Sequence, residues 1–472
     1  MSNSPQQPTS SETGHTGDER FARRLRAGDF FLLVEVQPLL PADGQLAERQ
    51  KQLLRSCATE ERVFAMVVTD RVAGEETPGP LALAEDAAAI TAKPVVCVVS
   101  GKGVDSDHLA AQVSNIRKLG LRDFLAVTGD LSDKHLEMAA NAEAPAATFR
   151  YDYTDSLDSL RLIGGLGADN MAGAVVNPFK YLPEDLLWQY AKMVRKCQAG
   201  ARFIVCQAGW DMAKYQELVW YARAREMLVP LVARVAVIGQ QAEEGKVGTE
   251  LPLFLSATYA RKDCERRKAL ELAARMAVGC SHLGYSGVLF QGVKDAEELH
   301  YLLDTFQAIC GALPNWSAWA QDWRDRFQGV SFVPFVENYS RKPPFYLYRA
   351  LMDPAVRDYS FHAARPVQPR IPGPRLVDRL SEWLSREGTP QWLRLSLGKW
   401  LRGGREEGQL CHGLDNYPCP KHLCSGPCGG SHADGTCEAG KVPCFFQRVW
   451  RLAASQGQLE QLERESQSEN SR

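Results

Sequence analysis

The sequence predicts an α/β protein: a (β/α)8 TIM barrel followed by a small C-terminal cysteine-rich, metal-binding domain. Three observations predict it. Between Phe30 and about Ile309 one unit keeps recurring, a short β-branched or apolar run, a polar turn, then a segment of helical period. Several of the runs are apolar nearly throughout, as parallel strands covered on both faces by crossover helices should be. Six of the 13 cysteines crowd between Cys411 and Cys444.

The runs, in order, are FFLLVEVQ, RVFAMVVTD, PVVCVVSG, DFLAVTGD, MAGAVVN, ARFIVCQ, PLVARVAVIG and YSGVLFQG. The segments between them carry helix signals. In DHLAAQVSNIRKLG, Leu109, Val113, Ile116 and Leu119 share one face, an aspartate can cap the start and Gly120 can end it. RRKALELAARMAVG and DAEELHYLLDTFQAI follow the same pattern, the second opening on acidic residues that suit the positive end of a helix dipole. Eight such units in roughly 280 residues match the size of a TIM barrel, with a doubly wound open sheet as the competing arrangement.

The 55 basic and 57 acidic residues nearly cancel and form no basic block, which argues against a nucleic-acid partner. No apolar stretch suggests a signal peptide or a bilayer span, so a cytoplasmic protein with no membrane partner is expected. Residues 1–19 are polar and are expected to be disordered. The barrel is expected over 20–312 and a Trp- and Pro-rich connecting region over 313–405, packing across the barrel. The cysteine-rich domain is expected over 406–456, and a polar tail over 457–472.

In such a barrel the reactive groups sit at the carboxyl ends of the strands. Strand one ends at Glu35, strand two at Thr69 and Asp70, strand four at Thr128, Gly129 and Asp130, strand five at Asn177 and strand six at Gln207. A carboxyl inside an otherwise apolar strand, as Glu35 is, has to be paired, solvated in a cavity or neutral. A structural ion pair would satisfy Glu35 as well as a catalytic site would, and a TGD turn or a barrel glutamine is by itself ordinary loop or backbone chemistry. Together, Glu35, Asp130 and Gln207 point into one mouth.

The blocks VEVQP, VVTD, KPVVCVVSG, IRKLGLRDFLAVTGD, AGAVVNPF, KCQAGARFIVCQ and YSGVLFQG, in this order, resemble the methylenetetrahydrofolate reductases. The resemblance implies reduction of 5,10-methylenetetrahydrofolate to 5-methyltetrahydrofolate with FAD as cofactor. It makes Glu35 the general acid that opens the five-membered ring, Asp130 the carboxylate that favours the cationic intermediate near flavin and pterin, and Gln207 a folate contact. Thr69, Thr128, Gly129, Asp130, Tyr151 and Lys196 fall at or near positions that hold FAD in that family. Cys97 stands where the family usually has a histidine near the flavin, Asn177 where some relatives have an aromatic residue, and Gln189 where some have an aspartate. The electron donor is expected to be NAD(P)H or a redox partner protein.

The segment CHGLDNYPCPKHLCSGPCGGSHADGTCEAGKVPC has too little apolar material to fold alone, and a bound metal would supply the missing stability. Thiolates suit Zn2+ or an iron–sulfur cluster. CPKHLCSGPCGG followed by DGTCE resembles the C-terminal domain fused to, or partnered with, methylenetetrahydrofolate reductases. That resemblance makes Cys419, Cys428, Cys437 and Cys444 the ligands of one Zn2+ or 4Fe–4S site. Cys424 is extra, Cys411 stands alone upstream, and His412, His422 and His432 are candidate substitutes, exposed loop histidines being the alternative. Two other readings stay open: a folate-binding barrel that transfers methyl groups with a corrinoid protein, and a degenerate folate-binding or electron-relay subunit. Self-association or a partner subunit is also expected.

Overall fold

The computed structural model describes residues 17–37, 44–69, 80–130, 153–237, 266–330, 332, 343–356, 366–368, 373–385, 390, 410–411, 414–415, 419–439 and 442–463. Of the residues singled out above, Asp70, Tyr151 and His412 lie outside them.

Eight parallel strands close into a barrel: β1 Phe31–Val36, β2 Val63–Val68, β3 Val95–Ser100, β4 Asp123–Val127, β5 Met171–Val176, β6 Phe203–Cys206, β7 Leu231–Ala236 and β8 Gly287–Gln291. Pairing of β1 with β8 closes the ring and removes the open-sheet alternative. Alternate residues of a strand face opposite sides. Leu33, Val67, Val98, Leu125, Val232 and Leu289 therefore fill the lumen, while the residues between them pack outward into the core shared with the helices. On β5, Gly173 keeps the lumen open for Phe203, since a Cβ there would come within 2.4 Å of that ring.

Helix α1 (Gly17–Ala27) precedes the first strand and plugs the amino end of the barrel. Its fully buried Phe21 meets Phe31 at 6.1 Å, Phe64 at 6.1 Å and Phe203 at 5.2 Å between ring centroids.

The crossover helices are α2 (Gly44–Thr59), α3 (Pro80–Ile90), α4 (Ser106–Lys118), α5 (Ser156–Gly165), α6 (Pro183–Gln198), α7 (Met212–Ala224), α8 (Arg266–Leu283) and α9 (Ala296–Ala312). Aspartates at their entries accept from the first free amides. Asp105 caps α4 through His108 N, Asp155 caps α5 through Leu157 N, and Asp295 caps α9 through Glu298 N.

The connecting region packs on the barrel. On α10 (Trp316–Arg326), Trp316, Trp319 and Trp323 stack in succession, and Trp319 Nε1 donates to Arg275 O of α8 at 2.8 Å. Farther on, Phe345 O accepts from Lys214 Nζ at 2.9 Å, Leu347 N donates to Glu217, and Met352 N donates to Gln216 at 2.6 Å. These bonds strap the segment to α7 through a fully buried Lys214–Glu217 pair.

Helix α11 (Leu376–Ser385), a short antiparallel pair β9 (Leu410–Cys411) and β10 (Leu414–Asp415), and α12 (Phe445–Ser455) follow. The last helix packs on α6. There Trp188 is enclosed by Phe446 and Trp450, and its Nε1 donates to Phe446 O at 2.7 Å. The C-terminal domain thus completes its apolar core with a face of the barrel. Among the described residues no helix is long and apolar enough to cross a membrane.

Candidate active site at the barrel mouth

Glu35 comes last among the inward residues of β1 and is 2% exposed. Its Oε1 accepts from Gln37 Nε2 at 3.0 Å, and its Oε2 faces Arg234 Nε at 3.5 Å. Arg234 is the inward residue above Val232 on β7, and its Nη1 donates to Gln207 Oε1 at 3.1 Å. Strands one, six and seven are joined in this way by a carboxylate, an amide and a guanidinium. Sequence reasoning singled out Glu35 and Gln207 but missed Arg234. The available signal was a charge inside the apolar run PLVARVAVIG, the same signal that marked Glu35.

Four buried polar atoms here have no hydrogen-bond partner among the described residues: Arg234 Nε and Glu35 Oε2, which face each other only as the 3.5 Å ion pair, Gln291 Oε1 and Thr69 Oγ1. They belong to or directly follow β7, β8, β1 and β2, four strands in succession around the ring. Each unpaired buried group costs about 1–3 kcal/mol. An arc of them marks a place built for a polar ligand.

The other side of the mouth is occupied by the C-terminal domain. Gly129, at φ +84°, lies so close to Ser100 that a Cβ would come 2.4 Å from its hydroxyl. Its carbonyl accepts from Lys421 Nζ at 2.7 Å, and the same ammonium donates to Glu438 Oε1 at 2.5 Å and lies 4.8 Å from the centre of the Tyr153 ring. Burial works against the Lys421 charge, but Cys428, Glu438, Tyr153 and Asp130 together outweigh it and hold its pKa well above the ordinary value. Tyr153 Oη donates to Asp130 O at 2.7 Å. Protein crowding around the Asp130 carboxyl, and then the Glu438 charge, push its pKa up, against the pull of Lys421, Lys102 and Arg234. Asp130 still meets solvent at the rim.

The remaining residues expected at a flavin are dispersed. Thr128 Oγ1 accepts from Ser156 N at 3.3 Å, at the start of α5. Asn177 Nδ2 donates to Gly429 O of the C-terminal domain at 3.1 Å. Lys196 reaches Val175 O at 2.6 Å from the layer between α6 and the sheet; burial and then Lys192 lower its pKa to about 7. Cys97 is fully buried in the sheet–helix core, where desolvation raises its pKa, and it does not belong to the mouth. Its place on β3 explains why: Val96 and Val98 take the inward positions, leaving Cys97 to face the helices.

Cys419, Cys428, Cys437 and Cys444 all line one cavity beneath Phe445 and Phe446, and all are free thiols. Cys424, His422 and His432 are not among its lining residues. Enclosure raises each of the four thiol pKa values, that of Cys428 to about 12. Among the described residues no group of three or more His, Cys, Asp or Glu is drawn together closely enough to hold a metal ion. The four cysteines expected as one ligand set share a cavity. Four thiols on one cavity nevertheless have the donor chemistry for Zn2+ or an iron–sulfur cluster, whose binding would have to displace their protons. Replacing Cys419 and Cys428 together by Ala is expected to abolish stoichiometric metal in the purified chain, read by elemental analysis. Retained metal would remove these ligands from consideration.

Among solved structures, the chain is similar to an uncharacterized protein from Clostridium thermocellum that binds two copies of 5-methyl-5,6,7,8-tetrahydrofolic acid. The identity is 10% and the TM-score 0.46, covering 61% of this chain and 98% of that one. It is also similar to a phosphonopyruvate hydrolase in complex with oxalate and Mg2+, at 13% identity and a TM-score of 0.34, over 69% of this chain and 93% of that one. No curated protein matches it significantly. Residues 405–472 match the family described as methylene-tetrahydrofolate reductase C terminal. Residues 20–280, more than half of the chain and nearly the whole barrel, match methylenetetrahydrofolate reductase, and the chain belongs to that family.

Proposed function

We propose that this chain reduces 5,10-methylenetetrahydrofolate to 5-methyltetrahydrofolate with a flavin, the electrons coming from NAD(P)H or a redox partner protein. The observation that carries the reading is Glu35, an almost fully buried acid with one oxygen that makes no hydrogen bond among the described residues, beside Gln207 and Arg234 at the mouth. In its protonated form, Glu35 would give its proton to the ring nitrogen that leaves the one-carbon unit, opening the five-membered ring, while Gln207 keeps Arg234 in place. Gln207 would orient the folate. Asp130 would face the positive charge that develops on the carbon.

The buried Thr69 hydroxyl, which has no hydrogen-bond partner among the described residues, fits a flavin ring, and Thr69 with Asp130 would hold one. A bound flavin would supply the hydride. The four cysteines would hold the metal, which stabilises the C-terminal domain against the rim. A second reading is favoured by the contacts of Gly129 O and Asn177 with the C-terminal domain, which take up two expected flavin positions: a folate-binding subunit without flavin. The deciding test is anaerobic. The full-length chain, supplied with FAD and reduced by dithionite, is mixed with methylenetetrahydrofolate, and stoichiometric flavin reoxidation with formation of 5-methyltetrahydrofolate is expected. A chain that binds folate but neither binds nor reoxidises flavin overturns the reductase reading and establishes the second.

A further inference from the structure

The polar atoms left over at the mouth form an ordered pattern. On β7, Arg234 Nε is a donor that cannot accept; on the neighbouring β8, Gln291 Oε1 is an acceptor that cannot donate. Register places Ala236 opposite Gln291, so Arg234 and Gln291 are diagonal neighbours on the same inward face, directly above Val232 and Leu289. Arg234 has already committed Nη1 to Gln207, and its Nε stands 3.5 Å from Glu35 Oε2, longer than a charge-assisted hydrogen bond of about 2.7–2.9 Å. The guanidinium is thus held in place with an Nε–H that faces the Glu35 charge and makes no hydrogen bond among the described residues.

A donor beside an acceptor is the complement of an amide edge, in which a carbonyl oxygen adjoins an N–H. The 4-oxo pyrimidine edge of a pterin carries that pair. We propose that Arg234 and Gln291 are the residues that read this edge, Arg234 donating to the ring carbonyl and Gln291 accepting from the adjoining N–H. The assignment rests on the folate reading and adds to it the residues that set ring specificity. It predicts rejection of a ring in which the carbonyl is replaced by an amino group, because a donor would then face the Arg234 donor and the ring nitrogen, now an acceptor, the Gln291 acceptor.

The test is binding of two ligands to the full-length chain by calorimetry: tetrahydrofolate, and its analogue with an amino group in place of the 4-oxo group. The wild type is expected to prefer the oxo compound by about 10–100-fold, the scale of one hydrogen bond to a charged group. Arg234→Met and Gln291→Leu are each expected to lose most of that preference, and Arg234→Lys to recover part of it. A change in packing alone would weaken both ligands together and leave the ratio intact. Since Arg234→Met leaves Glu35 without its neighbouring charge, Glu35→Gln/Arg234→Met removes both charges and is expected to fold and to show the same loss of preference. A wild type that binds both compounds equally, or variants that keep its preference, overturns the assignment of Arg234 and Gln291 alone. A wild type that binds neither compound overturns the folate reading, and the assignment with it.

Discussion

Glu35→Gln is expected to lower folate reduction by about 10²–10⁴-fold, the usual contribution of a positioned general acid, while flavin and folate still bind. Glutamine keeps the size of the side chain and can still accept from Gln37, which bonds Glu35 Oε1. It cannot deliver a proton. Single-turnover reoxidation of reduced flavin by methylenetetrahydrofolate reads the loss directly, because that half-reaction contains the ring opening and nothing of the electron donor. The substitution also leaves Arg234 facing an amide where a carboxylate stood 3.5 Å away. A urea unfolding midpoint is therefore measured alongside, to separate lost chemistry from lost folding. Turnover equal to that of the wild type, in a folded variant, would remove Glu35 from the acid role.

The barrel was legible because its signals are local. Each strand is a short apolar run, and alternation within a run tells which residues share a face. Glu35 falls in register with Phe31 and Leu33, and Gln207 with Phe203 and Val205, so their common inward direction follows from the sequence. The same parity turns Cys97 outward into the core, and the residue-by-residue resemblance did not take that into account. Arg234 carries the signal that marked Glu35, a charge inside an apolar run, and its inward direction follows in the same way from its parity with Val232.

What the sequence could not show is how the C-terminal domain sits. Trp188, Lys192 and Arg195 lie on α6, where an amphipathic reading assigns cations to solvent. In the folded chain Lys192 Nζ donates to Gly426 O at 3.0 Å and Arg195 Nη1 to Ser425 O at 3.0 Å, across more than 200 residues of sequence. No periodicity encodes a contact of that range. Lys421 and Glu438, which border the mouth, are likewise visible only once the domain is placed.

Docking by buried cations makes a strong prediction at Lys192. Its ammonium pairs with Asp155 at 2.9 Å, the two side chains being 2% and 5% exposed, and Asp155 also caps α5. Lys192→Met is expected to cost about 3–5 kcal/mol at neutral pH, since it strands a buried carboxylate and also leaves the Gly426 carbonyl unbonded. Unfolding in urea reads the loss. In the wild type, burial works to raise the Asp155 pKa, but the Lys192 charge and the hydrogen bonds from Lys192 and Leu157 prevail and lower it. A carboxylate whose folded pKa is depressed gives stability that is fully present above its unfolded pKa, near about 4, and lost as pH falls through the folded value. With the ammonium gone, burial is the dominant influence and the sign reverses: the carboxyl of the variant favours its neutral form. The gap between wild type and variant should therefore narrow as pH is lowered from 7 toward about 4, while the wild type alone begins to lose the pair only below that range. A gap independent of pH would place the cost in lost packing of the Lys192 stem, and a gap below about 1 kcal/mol would show the pair exposed to solvent.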